Sequence, residues 1–246
     1  MRFQNRTAIV TGAAQGIGLA VAEQLVREGG NVLLADIHDE QARHAARVLD
    51  PSGERAVGIR YDAALIEDAG VVVDAAMSIF GSLDILVPAA GIYQNVLFTE
   101  MTDDQWDATV RVNLDGVARL CRRAIGNLAP GSSIVLLTSI AAHKGGSRGH
   151  IHYGASKGAL LAMGRGMAAE LGPAIRVNMV SPGLIATPMT ESFIATNGAS
   201  QAALTPLGRY GSPEEVARAV TFLLSEDASF ITGEAIHVNG GYYIGG

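Results

Sequence analysis

Tyr153 and Lys157 lie four residues apart in a segment that reads as helix, so both side chains leave the same face. A free phenol titrates near about 10, and a cation within a few ångströms favours its anion. Lys157 is therefore expected to lower the Tyr153 pKa and leave a group able to exchange a proton with an alcohol oxygen near neutral pH. The spacing alone is common by chance. Ser139 adds to it: it closes an apolar run at Leu137-Thr138-Ser139, where a hydroxyl can hold a substrate oxygen and stabilise charge developing on it.

A second chemistry lies upstream. Residues 11–18 read Thr-Gly-Ala-Ala-Gln-Gly-Ile-Gly, between an apolar strand-length run and a helical pattern. Glycines at Gly12, Gly16 and Gly18 remove the Cβ atoms that would keep a pyrophosphate from the backbone, and a helix N-terminus offers unpaired N–H groups. Asp36 ends the next apolar run, eighteen residues beyond Gly18. A carboxylate there accepts hydrogen bonds from adenosine ribose hydroxyls and repels a 2′-phosphate. Gln15 and Ile37 add no positive charge, so the pattern points to NAD rather than NADP.

The elements that must position these residues alternate along the chain. Strands are expected at 7–11, 31–36, 56–61, 84–87, 133–138, 176–180 and 234–238. Helices are expected at 17–28, 39–49, 65–80, 103–127, 153–171 and 213–224. Such alternation predicts βαβ units and an α/β fold: a single Rossmann-type three-layer α/β/α domain over 1–246, with a mostly parallel sheet of about seven strands. The stretch 183–207 lacks periodicity and is expected to be a substrate loop or lid.

Composition narrows the function classes. The 246 residues are 48% hydrophobic and 5% aromatic, with 30 glycines, which suits helices packed closely on a parallel sheet. A net charge of −6 offers no basic face for nucleic acid. The first apolar run is too short for a signal peptide, and no run reaches membrane-span length. One cysteine, Cys121, cannot form an internal disulfide. A cytoplasmic protein is expected. The histidines and the cysteine lack zinc-ligand spacing, so no catalytic metal is expected.

Taken together and in order, these features resemble the short-chain dehydrogenase/reductase family over nearly the whole chain. The matching marks are residues 11–18, Asp62, Ala90-Gly91, Asn113 in Val112-Asn113-Leu114, Ser139, Tyr153 with Lys157, Ser181-Pro182-Gly183, Ile231-Thr232-Gly233 and Asn239-Gly240-Gly241. The resemblance implies that Tyr153 is the general acid/base and that Lys157 lowers its pKa and binds the nicotinamide ribose. It implies that Ser139 orients the substrate oxygen and that Asn113 holds a water in a proton relay. Asp62 would meet the adenine, and Ile185 and Thr187 the nicotinamide carboxamide. Further cofactor contacts are implied at Gly12, Gln15, Gly16, Ile17, Gly18, Asp36, Ile37, Ala63, Ala89, Ala90, Gly91, Pro182 and Gly183. The family's usual assembly is a homotetramer built through the helices expected at 103–127 and 153–171. Leu160, Leu161, Met163 and Met167 supply apolar residues beyond those needed to cover the sheet.

The sequence departs from the family pattern at Pro88-Ala89, where two asparagines are usual. Pro88 has no N–H, so the end of that strand must be held differently. Gln15 stands where the family's 3-oxoacyl reductases usually carry an arginine for the NADPH phosphate. The expected reaction is hydride transfer between NAD(H) and a secondary alcohol or ketone. An NADPH-linked 3-oxoacyl-thioester reductase and a non-catalytic dinucleotide-binding regulator are the alternatives. His143, Lys144, Arg148, His150 and His152 crowd one segment, as a site for an anionic substrate or as a solvated loop. Steroids, sugars or polyols, hydroxyacyl esters and cyclic alcohols all stay open as substrates.

Overall fold

In the computed structural model, residues 1–245 are described, the side chains of Asn197 and Ala199 excepted. Seven strands form one sheet: β1 (Thr7–Thr11), β2 (Asn31–Asp36), β3 (Ala56–Arg60), β4 (Leu83–Pro88), β5 (Leu128–Leu137), β6 (Ile175–Pro182) and β7 (Ala235–Val238). Their order is β3-β2-β1-β4-β5-β6-β7, and every pairing is parallel. Strand order reverses between β1 and β4. Open α/β sheets bind ligands in the crevice beyond the carboxyl ends of the strands at that point.

The two-residue period of each strand feeds two cores. Ala8, Val10, Val32 and Leu34 face α1 (Gly16–Arg27), α2 (Asp39–Leu49) and α9 (Pro213–Leu224). Ile9, Leu33, Ile134 and Leu136 face α3 (Asp68–Phe80), α5 (Gly116–Ala124) and α7 (Ile151–Leu171). Burying each such Leu or Ile contributes roughly 1.5–3 kcal/mol, and both sheet faces are covered, as parallel sheets require.

Four expectations need correction. The helix expected over 103–127 is broken into α4 (Asp103–Val110), a π-turn (Arg111–Asp115) and α5, followed by a short 3-10 turn. β5 begins at Leu128 rather than 133, across Pro130 and a Gly131 at φ +90°, with a register shift against β4. The stretch 183–207 is not all loop, because it holds α8 (Glu191–Ala202). A one-turn helix, α6 (Ala141–Lys144), follows Ser139. Leu160 and Leu161 are buried in the core, so they are not surplus apolar surface on α7.

Pro88 is accommodated by a side chain. Thr11 Oγ1 on β1 accepts hydrogen bonds from Ala89 N and Ala90 N, each at 3.1 Å. That hydroxyl holds the chain just past the strand whose last residue cannot donate. No helix among the described residues is long and apolar enough to cross a membrane.

Candidate active site

The turn from β1 into α1 is shaped by close approach. Gly12 sits at φ +63° and Gly16 at φ +58°. A Cβ on Gly12 would come within 2.8 Å of Ala90 N, and one on Gly18 would collide with the Gly12 carbonyl. Gln15, the N-cap of α1, makes no side-chain capping bond, so no N-cap side chain occupies the N–H groups of the first turn. They open on a cleft of about 310 Å³ lined by Gly12, Gln15, Gly16, Ile17, Gly18, Asp36, Ile37, Asp62, Ala63, Ala89, Ala90, Gly91 and Thr187. Uncapped N–H groups beside backbone bared by glycine suit a pyrophosphate. The residues present therefore fit a dinucleotide.

Asp36 is 7% exposed, and its carboxylate is tied at both oxygens. Ala14 N donates to Oδ2 and His38 N to Oδ1, each at 3.0 Å. Asp62 Oδ1 accepts from Ala64 N at 2.9 Å, which fixes it on the same wall.

Ser139, Tyr153 and Lys157 come together beyond Gly91. Ser139 Oγ accepts from Ala141 N at 3.1 Å and is hydrogen-bonded to the Tyr153 side chain. Lys157 Nζ donates to Leu137 O at 2.8 Å, and it sits 5.8 Å from the centre of the Tyr153 ring. Where the spacing with Lys157 suggests a lowered pKa for Tyr153, burial pushes the phenol up to about 12, against an opposing hydrogen bond from Ser139. Burial also lowers Lys157 to about 8. Desolvation outweighs the attraction of an ammonium held at that distance. Tyr153 holds its proton in this state and is set up as a donor.

Asn113 lies in the π-turn, fully buried. Its Oδ1 accepts from Ile92 N at 2.8 Å, and its Nδ2 donates to Ile92 O at 3.0 Å and Ser156 Oγ at 3.3 Å. The side chain thus clamps the loop after β4. A Cβ on Gly91 would stand 3.2 Å from Asn113 Oδ1 and 3.9 Å from Lys157 Nζ, so this bare backbone separates the cleft from the lysine.

Five expected cofactor residues do not line the cleft: Tyr153 and Lys157, which lie beyond Gly91, and Pro182, Gly183 and Ile185. Pro182 ends β6 with its carbonyl accepting Ile140 N at 3.0 Å. Gly183 packs on Asn239. Ile185 is 4% exposed and lines a neighbouring pocket with Leu207, Arg209 and His237. His38, Tyr61, Ile92, Val112, Pro188 and Met189 line the cleft unforeseen. Each adjoins a named residue in sequence or follows one that does, and Tyr61 sits just past β3 at the ligand-binding edge.

The basic segment does not converge on an anion site. Lys144 Nζ lies 4.0 Å from the centre of the Tyr242 ring. His143 packs against His237 and Tyr243, and His150 stacks on Tyr93. Burial lowers the pKa of His143, His150 and His152, which keeps them neutral near pH 7.

A nucleotide cleft at the strand-order reversal, with serine, tyrosine and lysine beside it, defines a dinucleotide-dependent oxidoreductase. A family model described as enoyl-(acyl carrier protein) reductase matches residues 12–243. The 3-oxoacyl-[acyl-carrier-protein] reductase FabG of Salmonella typhimurium is 37% identical, over 99% of this chain and 100% of that one. A short-chain dehydrogenase/reductase of Brucella melitensis, titled glucose/ribitol dehydrogenase, superposes with a TM-score of 0.96 at 47% identity over 99% of each chain. A blue fluorescent protein from a metagenomic library, solved with NADPH, superposes at 0.93 with 30% identity, over 99% of this chain and 100% of that one. The chain belongs to the short-chain dehydrogenase/reductase family and is an oxidoreductase of that family.

Proposed function

We propose that this chain transfers a hydride between NAD(H) and a secondary alcohol or its ketone, with Tyr153 as general acid and base. The observation that carries the coenzyme choice is the cleft wall, which holds Asp36 and Asp62 and no lysine or arginine among the described residues. A 2′-phosphate would meet a fixed carboxylate with no cation in the cleft lining to offset it; Arg60, outside that lining, is paired with Asp62 at 3.8 Å and Asp68 at 3.1 Å.

When bound, the nicotinamide supplies or accepts the hydride, and the remaining tasks fall to the chain. The glycine turn and the first turn of α1 hold the pyrophosphate; Asp36 holds the adenosine ribose. Ser139 Oγ and Tyr153 Oη, hydrogen-bonded to each other, converge on one substrate oxygen. In ketone reduction Tyr153 gives its proton to that oxygen as negative charge develops there, and in alcohol oxidation it takes the proton back. Lys157 is charged in most molecules at neutral pH and stabilises the phenolate left behind. Asn113 holds the loop that borders the site.

The test is a panel of 3-oxo esters and thioesters, cyclic ketones and ketoses with NADH and NADPH, followed by loss of reduced-nicotinamide absorbance. Tyr153→Phe should lower turnover roughly 10²–10⁴-fold while leaving NADH binding intact. Retention of more than about half of wild-type turnover, with chemistry limiting, would sink the mechanism. A second reading, a 3-oxoacyl-thioester reductase using NADPH, is favoured by the FabG relative. Selective turnover of 3-oxo thioesters with NADPH would install it.

The same proposal places the protein in the cytoplasm as a homotetramer. Its outward face on α7 carries Ala155, Ala162, Gly166 and Ala169, small residues that let helices approach closely. Buried Cys121, its thiol pushed up to about 12 by desolvation, asks nothing of an oxidising compartment. A monomer mass by light scattering at micromolar concentration would refute the assembly.

A further inference from the structure

The loop after β4 and the turn before α7 are fastened together by three contacts. Val96 N donates to Gly149 O at 2.9 Å. The rings of Tyr93 and His150 stack, with centroids 4.0 Å apart and planes 7° from parallel. Ser147 Oγ bonds His150 Nδ1 at 3.0 Å and is also the side-chain hydrogen-bond partner of Tyr93. Upstream, the Asn113 clamp fixes both backbone polar groups of Ile92, the residue before Tyr93. Tyr93 is thereby held from its stacked face, its side chain and its backbone. From that position its ring meets the Tyr153 ring at 83°, with centroids 4.8 Å apart. Such edge-to-face contacts have a preferred geometry, so a fixed ring constrains its neighbour.

We propose that Tyr93 is a positioning residue for proton transfer: locked by His150 and Ser147, its ring holds Tyr153 in the orientation that places the phenol on Ser139. The inference rests on Tyr153 being the proton-transfer group. Tyr93 exchanges no proton with substrate; its contribution is the orientation of a neighbouring ring. A misplacement of about 1 Å between reacting groups costs on the order of 10²-fold in rate, so a brace of this kind has measurable consequences.

The experiment compares Tyr93→Leu, Tyr93→Phe and His150→Ala with the wild type, using the ketone and coenzyme of the panel that turn over fastest. The quantities are kcat, KM for the ketone, Kd for the reduced coenzyme and the solvent deuterium isotope effect on kcat. Tyr93→Leu should lower kcat roughly 10- to 100-fold with both binding constants within about threefold. Its solvent isotope effect should rise above the wild-type value, because the proton transfer has become slower. Tyr93→Phe keeps the ring and should retain at least about half of kcat. His150→Ala removes the stacked partner and should show the Tyr93→Leu signature at smaller size, which supplies the reading if Tyr93→Leu does not fold. A purely structural role would lower thermal stability and active fraction but leave the isotope effect unchanged, and that result overturns the proposal. Full turnover by Tyr153→Phe would instead overturn the functional reading, and this one with it.

Discussion

Coenzyme choice can be worked through from Asp36. Both its carboxylate oxygens accept backbone N–H bonds, from Ala14 and His38 at 3.0 Å. Hydrogen bonds to a charged group contribute roughly 1.5–3 kcal/mol each, so swinging the carboxylate clear of an arriving phosphate costs about 3–6 kcal/mol. Unit charges 4 Å apart repel by about 4 kcal/mol at an effective dielectric of 20. The two costs are comparable, so Asp36 stays in place and the phosphate meets it. Solvent screening leaves about 2–3 kcal/mol, a preference of roughly 30- to 150-fold for NAD(H). The perturbation is Asp36→Ala with Ile37→Arg; Ile37 is 53% exposed, so an arginine there disturbs no core. The assay is kcat/KM for NAD and NADP in both proteins. Wild type should favour NAD and the variant should move toward NADP, with a lower Tm because Ala14 N and His38 N lose their acceptor. Equal use of both coenzymes by the wild type would refute the placement of Asp36 against the ribose.

Gly12→Ala should weaken NADH binding at least tenfold by fluorescence titration, since the residue sits at φ +63° with Ala90 N 2.8 Å from the added methyl. Arg176 donates to Leu223 O at 2.7 Å and Ser225 O at 3.0 Å, at the end of α9. Arg176→Met should cost about 2–3 kcal/mol and roughly 4–12 °C in Tm, with kcat per folded molecule unchanged; calorimetry with active-site titration checks both. Glu215 is lowered from 4.5 to about 2, first by its hydrogen bonds to Arg209. A depressed folded-state pKa gives stability that is present above 4.5 and lost as pH falls toward about 2. The Tm gap between wild type and Glu215→Gln should therefore be steady near neutrality and close across that window in a pH series of melting curves.

Much of this was legible in the sequence because burial imprints a period. α2 and α9 each bury one face, β1 and β2 bury both as short apolar runs, and all four lie where the pattern puts them. α8 was missed because none of its described side chains is fully buried: Glu191, Ser192, Ala195 and Thr196 are exposed and Phe193 and Ile194 only half-buried, so they imprint no period on the sequence. The early start of β5 was hidden by Pro130 and Gly131, which read as a turn. At the site, Tyr153, Lys157, Ser139 and the glycine turn were recoverable from residue type and order. The high pKa of Tyr153 was not, because desolvation depends on what covers the ring rather than on its helical neighbour. The burial of His143 and His150 was hidden likewise, since the rings packed on them, Tyr93, His237 and Tyr243, come from distant segments.

The π-turn at Arg111–Asp115 also works as a gear tooth. One surplus residue in a helix offsets everything after it by about 100° around the axis. With the tooth in place, Val117, Leu120, Cys121 and Ala124 point into the core while Asn113 reaches Ile92. Deleting Leu114 alone would restore an ordinary α-helix and turn that apolar quartet by about 100°, toward solvent. A one-residue deletion here is therefore expected to unfold the chain, whereas one at the exposed turn 51–54 is expected to be absorbed. The helix carries its phase as an integer, and the active-site loop is held only at one value of it.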